Sequence, residues 1–270
     1  MEQSLGLICG AGALPSRMAR EARRQGWRVV AFTFAHRGAA EYADRTIPSR
    51  MAEIGPILQA LRAERVSAVL FSGRFSIQDL FEARGVDSTF VDITTRAGSL
   101  IDVSLLGVVV RMLGDLGITV LDQRSFVGDW LGGPGCWSAR QPTEAEWRDI
   151  RRGFQVGRLL ADARVGQTVV VQQGAVTAVE AVEGTTEAIR RGATLGGPGA
   201  VIVKSVASDH DYRFDSPTVG PETVETAAAG GAAVVAVEAH RVFILEKDET
   251  VRRADAAGIS LVSVEGPNFR

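Results

Sequence analysis

Cysteine is almost missing from this sequence. Only Cys9 and Cys136 stand in 270 residues, 136 − 9 = 127 positions apart, which provides no disulfide framework and points to a reducing compartment. Lysine is equally scarce: apart from Lys204 and Lys247, the 30 basic residues are arginines, a bias that reads as a GC-rich coding sequence rather than a binding device. Net charge is also lacking, since 30 basic against 32 acidic residues give −2. No basic surplus exists to neutralise a phosphate backbone, so nucleic acid is excluded as a general partner. The longest stretch without polar side chains, residues 227–237, is rich in Ala and Gly and falls well short of the roughly 20 residues that cross a bilayer. The opening MEQSLGLICG lacks a basic-then-apolar leader, and the expected location is therefore cytoplasmic. No GxxxxGK[ST] loop occurs, which argues against an ordinary ATPase.

Apolar residues at 46% and charged residues at 23% describe a folded globular chain, long enough for two domains. The fold class expected is α/β. Residues 1–133 read as a Rossmann-like parallel-sheet domain, residues 134–142 as a linker, and residues 143–270 as a C-terminal α+β domain. In the first domain, strands at 5–9, 27–34, 67–72 and 117–121 alternate with helices at 14–24, 54–64, 76–83, 87–96 and 101–113, the rhythm of βαβ units. Periodicity lapses between 125 and 142, where glycines cluster and Trp130, Trp137 and nearby Trp147 suggest packing anchors between domains. Thr143-Glu-Ala-Glu146 matches a capping box. Beyond it, Thr168–Val171, a Gln-Gln-Gly turn and residues 175–181 form a hairpin signature. Strands then fit 200–204, 233–237 and 241–245, with helices at 185–193, 221–229 and 249–257.

Four segments could carry chemistry. Gly10-Ala11-Gly12-Ala13-Leu14-Pro15 joins a strand to a helix, so its amides could face a phosphate, although a plain glycine turn explains it equally well. A nicotinamide site would want a small residue where Pro15 stands and an acid near Ala35-His36-Arg37. Gly73 and Arg74 follow a strand at the sheet's carboxyl end, where Arg74 could meet an anion. Glu183-Gly184-Thr185 ends a strand and starts a helix, with Thr185 a natural cap and Glu183 lacking a structural role. Between Lys204 and Pro221, three aspartates gather with Arg213 and His210; a solvated acidic loop accounts for them, while carboxylates held close would repel unless a cation or arginine offset them. Asp215, beside Phe214 and ahead of Pro217, is expected to be partly buried. Cys9 reads as a buried small residue.

Taken together, Gly6-Leu-Ile-Cys-Gly-Ala-Gly-Ala-Leu-Pro15, Phe71-Ser-Gly-Arg74, Val179-Glu-Ala-Val-Glu-Gly-Thr185 and Tyr212-Arg-Phe-Asp-Ser-Pro-Thr-Val-Gly220 resemble the UDP-2,3-diacylglucosamine pyrophosphatases of the LpxI family, which act in lipid A synthesis. The resemblance runs from about Gly6 to about Val262. It implies a Rossmann-like domain followed by a family-specific one with substrate held between them. It also implies Mg²⁺-dependent attack of water on the α-phosphorus of UDP-2,3-diacylglucosamine, yielding UMP and 2,3-diacylglucosamine 1-phosphate. The family's catalytic aspartate falls on Asp215, with Glu183 and Arg213 as catalytic candidates beside it and Asp211 and Asp215 as candidate Mg²⁺ ligands. The substrate-binding candidates are Gly10, Gly12, Ala13, Leu14, Gly73, Arg74, Gly184, Thr185, Lys204 and Thr218. Three positions depart from the family pattern: Thr186 replaces an Asp, Asp102-Val103 replaces an Asp pair, and residues 207–211 replace Lys-Pro-Gly-Gln-Asp.

Two other readings stay open at this level: a non-catalytic or substrate-shifted relative that binds a nucleotide sugar or lipid-linked sugar, and a nicotinamide-dependent oxidoreductase. The lipid-linked UDP-sugar implies a weak, transient contact with the inner face of the inner membrane. An apolar groove for its acyl chains is expected along residues 100–113 or the Trp-bearing linker. The sequence leaves homo-oligomerisation open.

Overall fold

In a computed structural model of the chain, residues 3–34, 40–75, 86–97 and 102–265 are described. They form two compact units, Met1–Gly128 with Asp211–Ser216, and Asp129–His210 with Pro217–Arg270.

The first unit opens with β1 (Ser4–Cys9), α1 (Leu14–Arg24), β2 (Arg28–Thr33), β3 (Arg45–Pro48), α2 (Ile54–Ala63) and β4 (Ala68–Ser72). It continues with α3 (Ser88–Ala97), α4 (Asp102–Asp115) and β5 (Thr119–Val120). Every residue of β1 is buried, as befits a strand with both faces covered. Pro15 in the first turn of α1 forfeits no helical hydrogen bond, and Arg23 and Arg24 complement the negative end of the helix. Leu14, Met18 and Ala22, four apart, are its buried stripe. The sheet runs β3-β2-β1-β4-β5 with every pairing parallel. Phe32, Leu61 and Val69 anchor the core on one face, each stabilising the fold by about 1.5–3 kcal/mol through burial. The strand β3 had no apolar signature, since Arg45-Thr-Ile-Pro48 is largely exposed on the sheet edge. The helix expected at 76–83 and the loop around His36 lie outside the described residues.

The second unit contains β6 (Gly135–Cys136), α5 (Glu144–Asp162), β7 (Thr168–Gln172), β8 (Ala175–Val179), α6 (Thr185–Gly196), β9 (Val201–Lys204) and β10 (Thr218–Val219). After these come α7 (Pro221–Ala229), β11 (Val234–Glu238), β12 (Phe243–Ile244), α8 (Lys247–Ala256) and β13 (Ser260–Val264). Thr143 and Glu146 close the capping box at the start of α5. The β7–β8 hairpin turns at Gln173 and Gly174, both with positive φ (50° and 82°), and the buried Asp149 accepts from both of their amides at 2.8 and 2.7 Å. That hairpin is one edge of a mixed sheet, β6-β13-β11-β9-β7-β8, in which β9, β11 and β13 are parallel. Residues 135 and 136, within the expected linker, pair antiparallel with β13. Trp147 packs on the core of this unit, and Lys247 Nζ lies 3.8 Å above the Trp137 ring, so both are anchored within the second unit. Among the described residues no helix is long and apolar enough to cross a membrane.

Candidate functional site

In the first unit β1 and β4 are neighbours, while the chain leaves them toward opposite sides of the sheet. Open parallel sheets bind ligands just beyond the carboxyl ends of such a pair. Here the two exit loops are stitched together. Gly10 N donates to Ser72 O at 2.7 Å, Ala11 N to Arg74 O at 2.8 Å, and Arg74 N to Ala11 O at 2.9 Å. A Cβ on Gly10 would stand 2.6 Å from the Arg74 carbonyl oxygen, and one on Gly73 2.8 Å from that of Ala11. These glycines are required for the close approach of the two backbones, and the amides of Gly10 and Ala11 are spent on it. What remains toward a ligand is the start of α1. Gly12 has φ 97°, and Ala13 and Leu14 open a helix with no side-chain cap and no acid in its first turn. Arg74 is exposed beside it.

The segment Asp211–Ser216 belongs to this same unit. Phe214 packs against Phe71 with ring centroids 5.5 Å apart. Phe71 is the penultimate residue of β4, so this contact sets the segment at the carboxyl end of the parallel sheet. Asp215 is exposed there, contrary to the partial burial expected, because its neighbours Phe214 and Ser216 take the inward positions. The carboxylate of Asp211 is engaged by Arg213, whose Nε and Nη2 donate to it at 3.0 and 2.7 Å. This hydrogen bond raises the pKa of Arg213 above its ordinary value, against a smaller effect of burial. Asp122 and Arg124 form a second such pair at 2.6 Å. Asp211 is thus Arg213's partner, and among the described residues no three His, Cys, Asp or Glu side chains converge as a metal site.

The second unit gathers a different cluster around the carboxyl end of β9. Lys204, only 8% exposed, donates to Thr185 Oγ1 at 3.2 Å, and that hydroxyl donates to Glu180 Oε1 at 2.8 Å. Burial alone would raise the Glu180 carboxyl. Lys204's charge and hydrogen bonds from Thr168, Thr185 and the Gln167 amide outweigh it and hold the pKa below the ordinary value. Thr185 is therefore a bridge and not the helix cap expected of it, a place taken by Gly184 with φ 84°. Glu183 does have a structural role: it pairs with Arg191 at 2.5 Å and accepts from Ala181 N at 3.2 Å. Thr218 sits in β10 opposite Phe243. At the end of β11, Glu238 is only 1% exposed, paired with Arg158 and accepting from Val206 N at 2.8 Å.

Sequence reasoning passed over Glu180 in favour of Glu183, and it passed over Gln123, Asp122 and Glu238 altogether. One signal was available for Glu180: a lysine ending the apolar strand Val-Ile-Val-Lys204 needs an acid within reach. The side of α4 that overlaps the expected acyl groove lines, with α3, a cavity of about 290 Å³ whose walls carry Asp92, Arg96, Arg111 and Asp115 beside Ile93 and Met112. Its walls thus mix charged and apolar side chains.

Residues 4–130 match the model of the LpxI N-terminal domain, and residues 133–262 that of the LpxI C-terminal domain. UDP-2,3-diacylglucosamine pyrophosphatase LpxI of Caulobacter vibrioides is 30% identical, covering 97% of this chain and 98% of its own. Among solved structures, N5-carboxyaminoimidazole synthetase from Staphylococcus aureus is 12% identical over 63% of this chain with a TM-score of 0.27. The N5-carboxyaminoimidazole ribonucleotide synthetase of Thermotoga maritima is 16% identical over 66% with a TM-score of 0.26. This chain spans 38% and 41% of those two proteins, likenesses too slight to bear on fold or activity. Two family matches that together run nearly end to end, and a relative alike along its whole length, place the chain in the LpxI family.

Proposed function

We propose that this protein hydrolyses UDP-2,3-diacylglucosamine at the α-phosphorus, yielding UMP and 2,3-diacylglucosamine 1-phosphate. The observation that carries the reading is Asp215, exposed at the carboxyl end of the parallel sheet within Arg213-Phe-Asp-Ser-Pro-Thr218, in a chain of the LpxI family. In the reaction a water oxygen bonds to the α-phosphorus, the bridging P–O bond breaks, and its electron pair leaves with the sugar phosphate. An exposed carboxylate held by fixed neighbours can orient that water and accept its proton. Arg213, a permanent cation held in place by Asp211, is suited to phosphoryl oxygens that gain charge in the transition state. Arg74 and the uncapped start of α1 offer a further cation and amides for the nucleotide diphosphate. Lys204 and Thr185 are substrate-binding candidates of the second unit.

Mg²⁺ belongs to the same proposal. The described donor set is no closed cage, but Mg²⁺ needs few protein ligands when phosphates supply the others. Asp215 is the carboxylate that would hold an ion carried in by the diphosphate, and such an ion would neutralise charge on the phosphoryl oxygens. Contact with the inner membrane would come through the substrate's acyl chains. The test is incubation of purified protein with UDP-2,3-diacylglucosamine in H₂¹⁸O, with Mg²⁺ or EDTA. The expected result is Mg²⁺-dependent release of UMP bearing the label. Label in the sugar phosphate would move the attack to the β-phosphorus, and no release with any of several divalent ions would overturn the activity.

A further inference from the structure

We propose that Gln123 is a positioning residue that clamps the Asp215-bearing segment at both ends. The inference rests on the reading of Asp215 as the catalytic carboxylate. Gln123 begins a short turn, Gln123–Phe126, and is 1% exposed. Its backbone N–H donates to the Tyr212 carbonyl at 3.1 Å, and its side-chain Oε1 accepts from the Ser216 hydroxyl at 2.6 Å. One residue thus ties down positions 212 and 216, three before and one after Asp215.

The surroundings make this a built clamp. Asp122 caps the turn by accepting from Arg124 N at 2.8 Å, and Arg124 lies 4.4 Å from the centre of the Tyr212 ring. Tyr212 and Ser216 are 5% and 8% exposed, and Phe214 rests on Phe71. Every second residue is therefore held, while Arg213 and Asp215 between them are presented outward. The hydroxyl of Ser216 is the only one of these ties that is a side-chain hydrogen bond adjacent to Asp215. Its loss frees the residue next to the reacting carboxylate without touching substrate.

A rate-determining carboxylate displaced by about 1 Å loses on the order of 10²-fold in rate. Ser216→Ala should therefore lower kcat about 10- to 100-fold with KM changed less than about threefold. It also leaves Gln123 Oε1 buried without its donor, so the melting temperature should fall. In Ser216→Ala with Gln123→Leu no polar atom is left unsatisfied, and the melting temperature should return toward the parent while kcat stays low. Ser216→Thr, which keeps the hydroxyl, should hold kcat within about threefold of the parent. A merely structural bond predicts otherwise. If kcat recovers with stability in the double variant, or Ser216→Ala leaves kcat unchanged while Asp215→Asn is inactive, the clamp is overturned alone. If Asp215→Asn retains full turnover, the catalytic reading and the positioning role fall together.

Discussion

Replacing Lys204 with methionine removes the charge that keeps Glu180 ionised and leaves a side chain of similar length to fill the space. The loss comprises a charge-assisted hydrogen bond to Thr185 and the attraction between ammonium and carboxylate, bridged here through one hydroxyl at 3.2 and 2.8 Å. Glu180 keeps its bonds from Thr168, Thr185 and the Gln167 amide, so the cost falls below that of breaking an isolated buried charge pair, at about 2 kcal/mol at pH 7. The pH dependence has a definite sign. In the parent the folded pKa of Glu180 lies below the ordinary 4.5, so its contribution is complete above that value and is lost as the pH falls through the folded one. Burial is already the largest single influence on Glu180, and without Lys204 one of the causes that offset it is gone, so the folded pKa rises. Ionisation of Glu180 then stabilises the fold less than in the parent near neutrality, and the difference vanishes once the carboxyl is protonated. The deficit of Lys204→Met should therefore be largest at pH 7 and shrink as the pH approaches 4. Urea unfolding across this range, with amide exchange on β9 to keep the measurement on the second unit, tests it. Lys204→Met with Glu180→Gln should recover to within about 1 kcal/mol of the parent at pH 7. A deficit that is constant or grows on acidification would refute the charge coupling and reduce Lys204 to packing.

Asp215→Ala should lower kcat by roughly 10³-fold, with substrate affinity little changed and the melting temperature within about 2 °C, since an exposed side chain is removed; a destabilised but active variant would move the role elsewhere. Gly10→Ala forces a Cβ against three backbone atoms within 2.9 Å and should cost about 2–4 kcal/mol by overpacking and loss of the Ala11–Arg74 bridge. Gly12→Ala, with φ 97° but nothing within 4 Å, should cost only about 1–2 kcal/mol of backbone strain; chemical denaturation of the two variants side by side checks the order. Burial pushes the Cys9 thiol up to about 12, so iodoacetamide at pH 8 should label the partly exposed Cys136 and spare Cys9, as peptide mapping would show.

Much of the fold was legible because burial leaves a periodic mark. Helix α1 was bounded by Pro15 at one end and arginines at the other, and α7 by Gly220-Pro221, and the structure has both where the sequence placed them. The β7–β8 hairpin followed from Gln-Gln-Gly between two Val-rich runs. The elements missed were short or at edges, apart from the buried five-residue β13, which the sequence reading left without a strand. Strands β3, β6 and β10 hold four, two and two residues, too few for a period of two to register, and their pairing is decided by partners distant in sequence.

The candidate site was legible only where a residue's chemistry is unusual for its place. Asp215, in a Pro-rich stretch dense with charge, stood out; the reason it is presented outward did not. That reason is Gln123, 92 positions away by 215 − 123, a residue whose type marks neither catalysis nor a core. Its burial at 1% is affordable only because Ser216 satisfies its carbonyl oxygen, and neither residue alone predicts the other. The same holds for Glu180. Three residues before Glu183 on a similar strand end, it is singled out as the acid that Lys204 calls for only once β7, β8 and β9 are known to be neighbours in one sheet. That adjacency brings Thr168, Glu180 and Lys204 together. Pairings of this kind are a consequence of topology, so they become readable only once strand order is known, whereas a helix cap or a hairpin turn is written within four residues.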